Sequence, residues 1–327
     1  MKYEIIDCID SGTEYCPCKL AETGDCILCS QLSGKCFCDC TNWKGTCIYQ
    51  EYFWNGSKAK EGRKTYRSKI IKKKVLSKDV ILLTILLPHN IVRDLLPPGS
   101  FVFLRNPSCD ILHNVPISIM ESDITENTIT VAIEIKGIKT KKIDELNEGE
   151  NIMVKAPFWN GDFGLKHILE EKEGTSLIIA RAIGQAPMIP VMKKLYSNGN
   201  KIIVVLDKAN YEEIFIEKYL NECNAEVILC NTFQDGEISE ELKNIIDEKI
   251  KDNNINLIHV SAADILIIKT MNYIKGRVPL SCSNNAKMSC GEGICGACTA
   301  RFKGHKVKRL CKLQTDPEFI FEGRRFI

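Results

Sequence analysis

The distribution of cysteine constrains this chain more than any other feature. Seventeen cysteines stand among 327 residues, and most fall into two groups, residues 16–47 and 282–311, with few between them. The N-terminal stretch MKYEIIDCID lacks the apolar core of a signal peptide. In a chain of this size without such a leader, clustered thiols argue for metal or iron–sulfur ligation in a reducing, cytoplasmic setting and against a disulfide framework.

The region between the two groups has its own texture. Residues 1–62 are rich in Cys, Gly and Asp and close on the polar stretch WNGSKAKEGRK, which reads as a linker after a small domain that apolar burial alone does not fold. From 65 to about 157, short β-rich runs recur between turn signals: TYRSKIIKKKVLS, DVILLTILLP, SFVFLRN, VPISIM, TITVAIEIK and NIMVKAP. Such a series without a long helical pattern predicts an antiparallel β-barrel. From about 175, four apolar strand patterns alternate with helical ones, beginning TSLIIAR, NKIIVVLD, AEVILCN and INLIHVS, which predicts a doubly wound α/β domain. The expected organisation is therefore α+β and multidomain: a Cys-rich metal or iron–sulfur domain and linker over 1–62, a β-barrel over 63–172, an α/β nucleotide-binding-type domain over 173–276 and a cluster domain over 277–327. The formal charge is +2 with both signs interspersed, so there is no basic field for nucleic acid. The longest apolar run, VILLTILL, falls far short of the ~20 residues that span a bilayer.

In the C-terminal group, CGEGICGAC places Cys290, Cys295 and Cys298 at C-x4-C-x2-C, the plant-type [2Fe–2S] spacing, and Cys311 is the natural fourth ligand. Gly291, Gly293 and Gly296 permit the tight turns a loop needs to aim backbone N–H groups at sulfur. A four-cysteine zinc site is the competing reading, although zinc usually prefers paired C-x2-C knuckles. Cys282 reads as a packed thiol, and His305 as an exposed turn residue.

In the N-terminal group, Cys16, Cys18, Cys26, Cys29, Cys36, Cys38, Cys40 and Cys47 suffice for two four-thiolate sites. Two readings stand: iron–sulfur clusters extending an electron relay, or zinc sites that fold a docking module. Cys8 lies outside this set and is read as a non-ligand.

A barrel, a doubly wound domain and a plant-type cysteine loop in that order resemble the ferredoxin-reductase-like flavoproteins. The resemblance is strongest to the iron–sulfur electron-transfer subunit of NAD-dependent dihydroorotate dehydrogenase and to the small flavin subunit of NADH-dependent ferredoxin:NADPH transhydrogenases. It covers about residues 65–327 and implies FAD in the barrel. The family's R-P-I-S-type segment is matched by NVPISIM, so the resemblance puts Val115, Pro116, Ile117 and Ser118 against flavin and phosphate, with Asn114 where the transhydrogenase branch has a basic residue. A charge-assisted hydrogen bond is roughly twice as strong as a neutral one, so the missing arginine matters. The family's G-x-G-T segment is matched by KGIKTKKI: Gly137 and Thr140 fit, and Lys139 replaces the second glycine, where it or Lys141 offers positive charge to the FAD pyrophosphate. Ala132, Ile133 and Glu134 stand where the family touches flavin.

The same resemblance implies an NAD(P) site whose glycine-rich turn approaches a pyrophosphate. Here the turn reads ARAIGQAP. Gly184, Ala186 and Pro187 remain, while Arg181 and Ala182 replace the first two glycines, and the family's later C-G-P segment has become VSAAD. Either Arg181 grips a phosphate or the NAD(P) pocket is closed. The expected function is that of an electron-transfer subunit working with a second oxidoreductase subunit in a hetero-oligomer. The competing expectation is a metal-stabilised binding or redox-sensing module that has lost nicotinamide binding, with or without flavin.

Overall fold

The computed structural model describes residues 4–40, 43–211, 213–252, 254–302 and 305–324. The chain divides into two compact units: residues 66–285 form one, and residues 1–65 together with 286–327 form the other. The two cysteine-rich ends thus belong to one body.

Among the described residues the 66–285 unit carries two large sheets and the short hairpin Phe233–Gln234/Glu237–Ile238. The first runs in the order Val115–Ser118, Phe101–Arg105, Asn151–Phe158, Thr65–Ser77, Val80–Leu86, Thr128–Glu134, Glu121–Asp123. Antiparallel registers join Thr65–Ser77 to Val80–Leu86, Val80–Leu86 to Thr128–Glu134, and Phe101–Arg105 to both of its neighbours. Each β-rich run of the sequence becomes one strand. Ile81, Leu83 and Ile85 are buried while Leu82 and Thr84 between the last three are half-buried, the two-residue alternation of a one-sided core. The next strand obeys the same rule as far as Ile71, with Ser68 and Ile70 buried and Arg67, Lys69 and Ile71 exposed, and the register shift between Ile70 and Lys72 breaks it at the start of the lysine-rich run. Phe101, Phe103 and Phe158 add an aromatic layer, with ring centroids 5.0 Å apart for Phe103–Phe158 and 5.1 Å for Phe101–Phe158.

The second sheet is ordered Glu226–Leu229, Lys201–Asp207, Thr175–Arg181, Ile255–Ser261, Leu280–Ser283, Asp162–Phe163. The first five strands are parallel and the last is antiparallel. Thr175–Ala180 is buried throughout, as a strand covered on both faces must be. In chain order the parallel strands run 3-2-1-4-5, so the direction of winding reverses between Thr175–Arg181 and Ile255–Ser261, and ligands of such sheets bind beyond the strand ends at that reversal. Leu280–Ser283 extends the sheet past residue 276, where the sequence pattern ends. The four residues Leu-Ser-Cys-Ser are too short and polar to announce a strand, although Cys282 is fully buried, as a packed thiol should be.

The terminal unit is built differently. Its regular elements are short: helices Lys19–Glu22 and Ile48–Trp54, the pairing of Asp7–Cys8 with Leu313–Gln314, the hairpin Thr299–Arg301/Val307–Arg309 and helix Glu318–Phe321. One apolar cluster of its N-terminal segment holds only Ala21, Cys29 and Leu32 as buried members. Beside them lies a buried ionic network. The Arg63 guanidinium donates to both Asp10 oxygens (2.7 and 3.2 Å) and to Glu292 Oε2 (3.1 Å), and lies 4.2 Å from the Tyr15 ring centroid. Lys312, with no exposed surface, donates to Asp10 and, at 3.5 Å, to Glu292.

Candidate functional site

The flavin-side residues lie on three elements of the 66–285 unit. Val115–Ser118 ends the first sheet, which is where a proline is tolerated, and all four residues are half-exposed between buried Asn114 and buried Ile119. This leaves an open edge for a ligand. Thr128–Glu134 places Ile133 in the apolar core, so any ligand contact there is through its backbone, while Ala132 faces the other way and packs in a cluster with Ala186 and Met188 of the α/β domain. Glu134 pairs with Lys136 at 2.7 Å. Gly137 caps helix Ile138–Asp144, with the Thr140 hydroxyl accepting from the N–H groups of Lys136 (3.1 Å) and Gly137 (3.3 Å). Lys139 Nζ donates to the Asn114 carbonyl at 3.0 Å. The two segments that the resemblance singles out therefore meet, and the lysine stands beside the position that lost its arginine.

The glycine-rich turn and the VSAAD segment also meet, at the reversal point of the second sheet. The Ser261 hydroxyl donates to the Gly184 carbonyl at 2.8 Å, and a Cβ on Gly184 would lie 1.9 Å from the Ser261 carbonyl oxygen. Gly184 is thus required for strand-to-turn packing. Ala182 keeps the backbone of a glycine, with φ +51°. Arg181 is committed: its Nε donates to Asp207 Oδ2 at 2.9 Å, across the parallel register that pairs the last residues of the two strands. Asp207 also accepts from the Thr232 hydroxyl (2.6 Å) and N–H (2.9 Å) and from the Ala209 N–H (2.8 Å). Burial alone would raise its pKa, but these donors hold the carboxyl below its ordinary value. A polar cavity of about 560 Å³ opens here, lined by Arg181, Asp207, Lys208, Asn231 and Glu241 among others. An acid at the tip of the second strand is the usual ribose partner of a dinucleotide. In this chain that acid is already engaged by Arg181 and Thr232.

The C-terminal cysteines gather in two pairs. Cys290 lies beside Cys295 and Cys298 beside Cys311, and Cys311 also has Cys290 as an electrostatic neighbour. The N–H groups of Glu292 and Cys295 point at Cys290 Sγ from 3.3 and 3.5 Å, and although burial opposes its ionisation these donors bring the thiol below its ordinary value. Cys298 is lowered to about 6 by the hydrogen bond from Cys311, whose own value is pushed well up. Gly291, Gly293 and Gly296 all adopt positive φ, from 68° to 78°. Among the described residues no three His, Cys, Asp or Glu side chains converge so as to hold a single metal ion.

The N-terminal cysteines divide unevenly. Cys16, Cys18 and Cys26 line a small cavity together with Cys8, and the Cys29 N–H points at Cys26 Sγ from 3.4 Å. Cys38, Cys29 and Cys47 are the electrostatic neighbours of Cys40. Cys36 is exposed. Among the described residues no helix is long and apolar enough to cross a membrane.

Comparison with known proteins bears on the first of these sites. Residues 67–163 match the family model of the oxidoreductase FAD-binding domain. Over these residues the chain is similar to that domain. The chain is 27% identical over 216 residues to the electron transfer subunit of dihydroorotate dehydrogenase B (NAD(+)) from Clostridium acetobutylicum, covering 66% of this chain and 81% of the relative. Its fold is that of the ferredoxin reductases. A structure described as the NADH-dependent reduced ferredoxin-NADP oxidoreductase superposes with a TM-score of 0.62 at 20% identity, over 79% of this chain and 92% of the other. Phthalate dioxygenase reductase, described as a modular structure for electron transfer from pyridine nucleotides to [2Fe-2S], superposes with a TM-score of 0.50 at 13% identity, over 77% and 95%.

The FAD-binding domain thus contains all the flavin-side residues named from the sequence, since Asn114 to Thr140 fall inside its bounds. Sequence reasoning passed over Asp207, although an acid closing the apolar run IIVVLD was a readable signal. It also passed over Asp10, Arg63, Glu292 and Lys312, which no local pattern marks because their partners lie far away in the chain.

Proposed function

We propose that the chain is the electron-transfer subunit of an oxidoreductase complex, passing electrons between FAD in residues 67–163 and a [2Fe–2S] cluster on Cys290, Cys295, Cys298 and Cys311, and on to or from a partner redox subunit. The observation that supports the cluster assignment is the C-x4-C-x2-C loop itself, with Gly291, Gly293 and Gly296 at positive φ and the Glu292 and Cys295 N–H groups directed at Cys290 Sγ. Bound flavin exchanges electrons in pairs on one side and singly on the other. The chain's residues supply the holding and the charge: Val115–Ser118 presents an open strand edge, Ala132, Glu134, Gly137 and Thr140 frame it, and Lys139, fixed by the Asn114 carbonyl, offers the positive charge opposite a diphosphate. No proton-abstracting side chain is required for transfer. By likeness to its relatives the partner is a dihydroorotate dehydrogenase-like or transhydrogenase-like subunit in a cytoplasmic hetero-oligomer, with neither nucleic acid nor membrane involved. The N-terminal cysteines 16–47 add iron–sulfur or zinc ligation.

NAD(P) entry is altered in this reading. The Arg181–Asp207 pair takes up the acid a nicotinamide dinucleotide would use, so electrons enter from the partner side. Gly184 and Ala186 keep the turn's packing without restoring its phosphate cradle.

Anaerobic purification with quantification of flavin, iron, sulfide and zinc tests the reading, with FAD, iron and sulfide expected. Zinc alone without flavin would replace it by the binding or sensing module. Titration with NADH and NADPH is expected to leave the flavin absorbance unchanged, and rapid bleaching by either would show an intact nicotinamide site. Lys139→Met is expected to weaken FAD binding by about tenfold, equivalent to about 1.4 kcal/mol, as read from flavin retention on dilution.

A further inference from the structure

We infer that a cavity where residues 95–98 and 119–122 of the first sheet's domain meet the α/β domain is a separate small-molecule site, and that it takes an apolar monocarboxylate. The ligand class is an apolar body carrying one acid group. The cavity measures about 470 Å³. Small-molecule pockets run from roughly 300 to 1,000 Å³ and favour domain boundaries. No residue assigned above to flavin, to the glycine-rich turn or to the cysteine sites lines this one.

Its walls come from both domains. Helix Met188–Ser197 turns Ile189, Met192 and Leu195 into the core, and Pro190, Lys193, Lys194 and Ser197 form the stripe that lines the cavity. Their spacing, i, i+3, i+4 and i+7, is that of one helix face. Across from this stripe, Leu95, Ile119 and Met120 supply a buried apolar floor. Leu96 and Leu169, 46% and 43% exposed, stand at the mouth. Pro97 and Pro98 complete the wall, and because proline fixes its own φ this wall is formed in advance and costs little to order when a ligand enters.

The polar lining decides the ligand class. Glu121 is a lining carboxylate, but its Oε2 accepts from the Tyr219 hydroxyl at 2.6 Å, its Oε1 from Lys193 at 3.3 Å, and Lys218 lies 3.8 Å away. Lys193 is held further by Glu222 at 3.4 Å and by the Tyr219 ring, 4.7 Å from its centroid. The Ser122 hydroxyl donates to the Leu95 carbonyl at 3.2 Å and the Ser197 hydroxyl to the Lys194 carbonyl at 2.8 Å. These groups are committed to the protein. Lys194 differs: its side chain is half-buried on the cavity wall, and among the described residues no carboxylate pairs with it. An ammonium partly withdrawn from water attracts an anion more strongly than one in bulk solvent. Further polar groups on the ligand would meet leucine and proline and lose their hydrogen bonds to water, so one acid on an apolar body is the matching chemistry.

The test is titration calorimetry on the full chain, purified anaerobically, with 2-naphthoate as probe and 2-naphthamide as its neutral isostere. Naphthoate is expected to bind with a Kd on the order of 0.1 mM and the amide about tenfold more weakly. Lys194→Met is expected to weaken naphthoate about tenfold and leave the amide unchanged, which removes the preference for the acid. Leu169→Asp, at the mouth, is expected to weaken both probes about tenfold. Arg181→Met, in the polar nucleotide-side cavity, is expected to change neither. Absence of binding by naphthoate, equal affinity for the two probes in the unsubstituted chain, or a loss on Arg181→Met in place of Lys194→Met overturns the inference. Leu96→Asp, also exposed, guards against misfolding of the Leu169 variant: both are expected to keep the parent's thermal midpoint and to lose both probes, and full binding by a folded Leu96→Asp chain counts against the site. Because the cavity shares no residue with the flavin or cysteine sites, the result is independent of the proposed function.

Discussion

The two compact units of this chain solve the same problem with different physics. Residues 66–285 bury long apolar runs on two large sheets, whose interior strands close their backbone hydrogen bonds within the ladder. The terminal unit pairs few strands and relies on Arg63, Lys312, Asp10 and Glu292, all buried and mutually bonded, with cysteines around them. An apolar core tolerates loss of one contact by partial relaxation. A buried ionic network does not, because removing one member leaves a charge uncompensated in a medium that solvates it poorly.

The comparison is broken most directly at Lys312. Lys312→Met leaves Asp10 and Glu292 facing Arg63 alone, and it is expected to cost the terminal unit about 3–5 kcal/mol. Hydrogen exchange would show loss of protection over residues 4–62 and 286–324 with the FAD-binding domain unaffected. Exchange spread evenly over both units would refute the division.

Acid should act on the other unit through His259. Fully buried and hydrogen-bonded to the Ser281 hydroxyl at 2.9 Å, it is lowered to about 3 by desolvation. A histidine depressed in the folded state contributes stability that is complete above its unfolded value near 6.5 and is lost as pH falls toward 3. Denaturant melts of the 66–285 unit are expected to lose on the order of 5 kcal/mol across that window, and His259→Gln should flatten the slope. An unchanged slope would place the sensitivity elsewhere.

Gly184→Ala is expected to cost this unit about 1–3 kcal/mol, because the obstacle is the Ser261 carbonyl oxygen and not a side chain that can turn aside. Iron content should not change. The smallest effect is of opposite sign: Ala182→Gly relieves a left-handed φ and is expected to stabilise the same unit by about 0.5–1 kcal/mol in thermal denaturation.

Legibility in the sequence follows the same divide. The β-rich runs and strand–helix alternation could be read because apolar periodicity is local, and each of the first six runs became one strand of the first sheet. Leu280–Ser283 escaped because its place in the sheet is set by its neighbour Ile255–Ser261 and not by its own pattern. The tight turns of the C-terminal loop were legible from its glycines, which all take positive φ. The position of Cys8 beside Cys16, Cys18 and Cys26 was not, since it depends on a strand pairing with residues 313–314. The engagement of Arg181 by Asp207 needed the parallel register to be known, although both residues stood in plain view at the ends of apolar runs.

The ion pair between Asp10 and Lys312 spans 302 positions of chain. At ribosomal speeds of roughly 5–20 residues per second, the aspartate emerges roughly 15–60 s before its lysine exists. The 66–285 segment has that interval in which to fold, but the terminal unit cannot close until its second half has been made. Through the wait, the early thiols have no finished pocket. A nascent chain therefore carries its first cysteines unpacked until Lys312 has been made, which places closure of the terminal unit at the very end of synthesis.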